Sequence, residues 1–288
     1  MPIQNQGPGK ARRERAAALR EIQARIDALI VKLEEELRDV ELFGPPEERE
    51  ECPICFVPMP LDRGQRAYVR CCGKTACMAC AVTTGEMGQF SCPFCRAPIA
   101  GVNDEVQAQQ LRNRVELGDV EAMRILAELY DTGENGFQKD DIAVMRLLLQ
   151  AAELGNLPGL CGLAIGHLRN EFEGRTTLEQ AMKLATAAAK KGSVKGHNIL
   201  GILELEVMAD IDETLELERA EKQEKVLKHL EHAAAIGGYV PSFGLLRKLQ
   251  HFLNSNTFDE LEAKHKEALA LEWSEERESY MANKTKAS

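Results

Sequence analysis

Aromatic residues are scarce in this chain of 288 residues: they make up 5% of it, and there is one tryptophan. Alanine and leucine abound instead, which points to helix. Positive charge is also short, with 36 Lys and Arg against 46 Asp and Glu and a formal net charge of −10. A surface of that sign is a poor general binder of nucleic acid, whose phosphates demand a basic face, so no nucleic-acid partner is expected. No apolar run approaches the length needed to cross a bilayer, and no membrane partner is expected either. The opening stretch MPIQNQGPGKARRERAAALR lacks the apolar core of a secretory signal, so the expected location is the cytoplasm or nucleus. Glycine and proline are absent from Lys10 to Phe43, so nothing there breaks a helix. With 44% hydrophobic and 28% charged residues, the length suffices for two or three modules.

What is abundant is cysteine, and it is concentrated. Of the nine cysteines, all but Cys161 fall between Cys52 and Cys95. Cys52/Cys55, Cys77/Cys80 and Cys92/Cys95 are three Cys-x-x-Cys pairs, and the adjacent Cys71 and Cys72 make a fourth. Without a route to an oxidising compartment, paired cysteines point to metal thiolates before disulfides or plain core packing. Two pairs close a tetrahedron around one zinc, and a closed all-sulfur site is structural. Eight thiolates therefore suggest two zinc ions with no open coordination position, and no catalytic residue is expected on this chain.

The order of these pairs, with CPIC first and CPFCR last, resembles the RING finger. In that family the pairs alternate between two metals in a cross-brace. The resemblance implies that Cys52, Cys55, Cys77 and Cys80 hold one zinc, and Cys71, Cys72, Cys92 and Cys95 the other. Where the family commonly has Cys-Gly-His, this chain has Cys72-Gly73-Lys74; Cys71 takes the vacant ligand place, as in all-cysteine variants. A RING domain docks a ubiquitin-conjugating enzyme, on whose cysteine the chemistry stays. The family's docking groove uses an apolar residue inside the first pair and a proline inside the last, here Ile54 and Pro93. Its bridging cation directly after the last cysteine is matched by Arg96. A tryptophan common in that groove is missing from AVTTGEMGQFS, where Met87 or Phe90 would substitute.

Around this module the chain divides by composition. Residues 1–9 are polar and expected to be disordered, and residues 10–43 form one amphipathic helix. Its stripe runs Leu19, Ile22, Ile26, Leu29, Leu33, Leu37, Val40 at helical spacing, with Glu36 falling on the seam. Residues 16–33 are suited to a short coiled-coil dimer or, equally, to packing on the chain's own body. Gly44-Pro45-Pro46 ends this helix and opens a linker over 44–51 before the zinc module at 52–96. A connecting helix lies in 97–117, capped by Asn103 or Asp104.

Residues 118–273 repeat. Gly118, Gly155 and Gly192 are equally spaced, and Gly238 follows at a longer step. Four residues after each stands a small residue (Ala122, Gly159, Gly196, Ser242), and eight after, a leucine (Leu126, Leu163, Leu200, Leu246). Such a register predicts helix pairs closely packed at the small residues, sealed by the leucines and punctuated by the glycines. The first unit, with Tyr130, Gly133 and Gly136 in its turn, resembles a Sel-one-like repeat, a relative of the tetratricopeptide repeat. Later units lose the turn, with His167 and Glu204 at the tyrosine position, and the third carries an acidic insertion, EVMADIDETLELERAEK. The end of the array is a charged capping helix in which Trp273 packs; residues 274–288 form its end and a tail. Cys161 and the histidines read as structural or exposed.

The expected fold class is thus mostly α: an N-terminal helix, an all-cysteine RING cross-brace and an α-solenoid. The arrangement resembles RING proteins with Sel-one-like repeats found in diatoms and related algae. That resemblance implies a ubiquitin ligase holding a protein substrate or adaptor on its repeats. The competing expectation is a zinc-stabilised interaction scaffold that moves no ubiquitin; a zinc-dependent nucleic-acid binder is disfavoured by the charge.

Overall fold

A computed structural model describes residues 8–86, 91–98, 103–168, 176–209, 211, 216–236, 239–249, 255–270 and 277. Among these residues the chain is mostly helical, with one two-stranded antiparallel sheet. Helix α1 (Pro8–Glu36) leads to the sheet of β1 (Arg66–Val69) and β2 (Lys74–Cys77), followed by α2 (Met78–Glu86). Helix α3 (Asp104–Glu116) is capped by Asn103, whose side chain accepts from the Val106 N–H at 2.9 Å.

Beyond α3 the helices come in pairs. They are α4 (Val120–Thr132) with α5 (Asp141–Glu153), α6 (Leu157–Leu168) with α7 (Leu178–Lys190), and α8 (Val194–Ala209) with α9 (Glu216–Glu231). A π turn (His232–Ile236) then leads to α10 (Val240–Lys248) and α11 (Ser255–Ala270). From α3 to α10 each helix packs against the next, giving a repeat-like array of hairpins, and α11 packs on the π turn. Gly118, Gly155 and Gly192 sit between hairpins at φ of 78°, 83° and 86°, a left-handed conformation that costs glycine little. Leu126, Leu163, Leu200 and Leu246 are all buried, as the register requires. A Cβ on Gly159 would lie 2.8 Å from the Ala152 backbone nitrogen, and one on Gly196 would lie 2.7 Å from that of Ala189. Backbones this close leave no room for a side chain. The acidic insertion falls partly outside the described residues; its described ends lengthen α8 and α9.

Helix α1 differs from expectation in where it stops. It ends at Glu36, short of residue 43, and the chain turns over Leu37–Val40. The stop comes where Glu36 breaks the stripe: Leu37 stays buried and Val40 is exposed. The stripe is also already covered. Ile22, Ile26, Leu29, Ile30 and Leu33 share one core cluster with α5, α6, α7 and α8. Arg25 grips Glu153 through two bonds of 3.0 and 2.7 Å, and Lys190 Nζ donates to the Leu37 carbonyl at 2.8 Å. Of the two arrangements open to residues 16–33, packing on the chain's own body is the one adopted. A coiled-coil dimer through the same stripe would have to expose it first.

Candidate metal centre

The eight clustered cysteines form two groups, Cys52, Cys55, Cys77, Cys80 and Cys71, Cys72, Cys92, Cys95; within each, the sulfurs all lie within 4.8 Å of one another. Contacts across the pairs are 4.0 Å for Cys55–Cys77, 3.4 Å for Cys71–Cys95 and 3.7 Å for Cys72–Cys92. A disulfide would need about 2.05 Å. A tetrahedral zinc with Zn–S bonds of about 2.3 Å spaces its sulfurs about 3.8 Å apart. The donor set therefore fits two metal ions, each taken by four thiolates. Pairs one and three share a site, as do pairs two and four, so the groups interleave along the chain.

Local structure explains how each pair is presented. Residues 52–58 (CPICFVP) and 92–98 (CPFCRAP) are two copies of one knuckle. In the first, the Phe56 N–H donates to the Cys52 carbonyl at 2.8 Å; in the second, the Arg96 N–H donates to the Cys92 carbonyl at 2.9 Å. The residue after each pair swings into the left-handed region, Phe56 at φ 58° and Arg96 at φ 62°. Isolated bridges, Glu51 with Pro58 and Ser91 with Pro98, close both loops. The doublet Cys71-Cys72 is delivered by the turn after β1. There the Cys72 and Gly73 N–H groups both donate to the Val69 carbonyl, at 3.2 and 2.8 Å. Gly73 has φ 73°, and a Cβ there would fall on the Arg114 guanidinium and the Asp119 carboxylate. Cys77 and Cys80 leave the end of β2 and the first turn of α2.

The electrostatics favour a cation in each group. Burial opposes the Cys52 thiolate, but N–H donors from Cys77, Cys55 and Ile54 bring its pKa down to about 7. Cys92 reaches about 7 in the same way, against burial, through the Cys95 and Phe94 N–H groups. Cys71 and Cys80 are pushed well up, by burial first and then by neighbouring sulfurs. Four sulfurs at this spacing ionise together only around a positive charge, and a coordinating metal deprotonates thiols outright.

The other predicted site residues are placed as follows. Ile54 is half-buried against a small core of Cys52, Met59, Ala76, Cys77, Ala79 and Cys80, and Phe94 packs on that same core. The two knuckles therefore meet there, while Pro93 and Arg96 are exposed. Met87 and Phe90 lie outside the described residues, as do Trp273 and Gly238. Phe56 was missed. It is 73% exposed and occupies in the first knuckle the place of Arg96 in the second. The repeated C-P-x-C-x-x-P pattern is the signal that pairs them.

The cysteine module is tied to the helical body. Tyr68 donates to Asp119 at 2.8 Å, and Arg114 donates to the same carboxylate at 3.0 and 2.7 Å. Burial works against the Asp119 carboxylate, yet these two donors hold its pKa below the usual range. Arg63 pairs with Glu121 at 3.4 Å, and Arg277 donates to the carbonyls of Pro58 and Val57 at 2.8 and 3.3 Å. Elsewhere, Cys161 is buried with its sulfur 3.6 Å from the Ser193 hydroxyl. Three histidines, His197, His229 and His232, gather in a buried cluster around Phe43, which no motif marks.

No protein-family model, no curated protein and no solved structure matches this chain. Among the described residues no helix is long and apolar enough to cross a membrane.

Proposed function

We propose that this chain is a RING-type ubiquitin ligase whose zinc module docks a ubiquitin-conjugating enzyme. Its hairpins would form a Sel-one-like solenoid that holds a protein substrate or adaptor. The observation that carries the reading is the interleaving of the two sulfur groups, which is the connectivity of a RING cross-brace. Zinc in such closed sites supplies architecture only. The contribution of this chain's own residues is positioning, with the reactive thioester on the conjugating enzyme. Ile54, at the edge of the small core between the knuckles, and the exposed Pro93 form the docking edge. Arg96 is exposed on the second knuckle, outside both sulfur groups, in reach of a bound partner.

Single-turnover discharge of a preformed ubiquitin thioester onto free lysine tests this. The chain should accelerate discharge with some member of a broad panel of conjugating enzymes. Arg96→Ala should keep metal and fold yet slow discharge. Loss of one charged donor felt only in the reactive state is worth about 1.5–3 kcal/mol, roughly tenfold to a hundredfold. Ile54→Ala should act by weakening docking. No acceleration with any enzyme would favour a second reading, a zinc-stabilised interaction scaffold. The ties that fix the module to α3 and α4 through Tyr68, Asp119 and Arg114 favour that reading, because they give the metal centre a structural role of its own.

A further inference from the structure

We propose that Asp119 is a positioning residue for the second metal site, Cys71, Cys72, Cys92 and Cys95, although it belongs to the helical body and is not a ligand. It acts on the turn that carries Cys71 and Cys72. The two sulfur groups differ in what supports them. Cys52, Cys77 and Cys80 are buried in a small core with Met59, Ala76 and Ala79, so the first group is held from within the module. In the second group Cys71 and Cys72 are half-buried and Cys95 is exposed. Its doublet depends for its placement on the turn after β1.

That turn is roofed by the junction of α3 and α4. The Arg114 guanidinium stands where a Cβ on Gly73 would be, and an Asp119 oxygen lies 2.5 Å from the same point. The Tyr68 ring packs on the core formed by α3, α4 and α5, while its hydroxyl donates to that Asp119 oxygen at 2.8 Å. Arg114 donates to the same oxygen through two nitrogens, and Arg70 donates to Gln107 of α3. The other Asp119 oxygen accepts from the Glu121 and Ala122 N–H groups and so caps α4. One carboxylate therefore joins α3, α4 and the residues on either side of the cysteine doublet. A turn fixed before the ion arrives spares binding the free energy of ordering it. Outer partners of this kind are worth about tenfold to a hundredfold in metal affinity. The coupling is reciprocal: the order that the junction lends the second site, a bound ion returns to the junction. This inference rests on reading the sulfur groups as zinc sites and not on ubiquitin transfer.

Graded withdrawal of zinc from the full chain by a chromogenic chelator tests it. The two releases are assigned with Cys71→Ser, which lacks one sulfur of the second group. Asp119→Asn keeps a capping oxygen but turns an amide donor towards Tyr68 and Arg114; Tyr68→Phe keeps the ring and removes one donor. Each should weaken the second ion about tenfold and leave the first unchanged. Arg25→Gln, which breaks a comparable pair between α1 and α5, should change neither. Circular dichroism checks the helicity of every variant, and Tyr68→Phe decides if Asp119→Asn does not fold. In the wild type, withdrawal of the second ion should quicken hydrogen exchange at the start of α4 before α6 and α7. Equal weakening of both ions, no weakening of either, or the same loss in Arg25→Gln overturns the positioning role while zinc binding stands. So does exchange at α4 that ignores the second ion. A wild-type chain that binds no zinc overturns it together with the zinc reading.

Discussion

Acidification should destabilise this chain through His197, His229 and His232, which are 1%, 5% and 7% exposed. Their rings surround Phe43 at centroid distances of 5.3, 5.1 and 5.6 Å, and the Nδ1 atoms of His197 and His229 are 3.0 Å apart. The charged groups nearby are Glu204, bonded to Lys222 at 3.0 Å, and Lys225. Burial first, and then the neighbouring histidines, hold His197 at a pKa of about 3. Burial likewise holds His229 at about 4, although Glu204 pulls the other way. An unfolded imidazole titrates near 6.5. Below that pH the unfolded chain takes up protons that the folded chain refuses, so stability present at neutral pH drains away as the pH falls towards 4. Each of the two imidazoles costs about 1 kcal/mol at pH 6 and about 2 kcal/mol at pH 5 by this linkage. Urea unfolding of the zinc-loaded chain at pH 8, 7 and 6 measures it without reaching the acidity that strips metal. The double variant His197→Phe, His229→Phe keeps the ring packing and removes both partners of the Nδ1 contact. It should lose about 2 kcal/mol less than wild type between pH 8 and pH 6. Parallel loss in the two proteins would show that these histidines are not buried neutral and refute the reasoning.

Elemental analysis of freshly purified, reduced protein should find two zinc ions per chain. Cys71→Ser should lose or weaken the second while Cys52, Cys55, Cys77 and Cys80 keep theirs; unchanged zinc content would remove Cys71 from the ligands. Leu163 is fully buried between the hairpins, so Leu163→Ala should cost about 2–5 kcal/mol in equilibrium unfolding. A loss under about half a kcal/mol would place it at the surface. Gly159→Ala ordinarily gains helix propensity, but here the added methyl would press on the Ala152 backbone and should lower the melting temperature.

Much of the centre and of the helical array was legible without coordinates, because both are written in local spacing. Two cysteines two residues apart belong to one knuckle whatever surrounds them. A glycine, a small residue and a leucine in constant register encode one helix junction, since a left-handed cap, a close backbone approach and a seam contact are decided within a few residues. The alternation of the sulfur pairs entered the sequence reading through the RING resemblance, and the structure brings together those same two groups.

What spacing could not decide was which surfaces meet. The stripe of α1 suited a second copy or the chain's own body equally well; apolar burial has no direction, and only the position of α5 and α7 made the choice. Phe43, His197 and the pair His229 and His232 lie far apart in sequence and become a cluster once α8, the end of α9 and the segment after α1 converge. Charge and burial act through space, so the chain alone named these residues and the tertiary structure alone gave them neighbours.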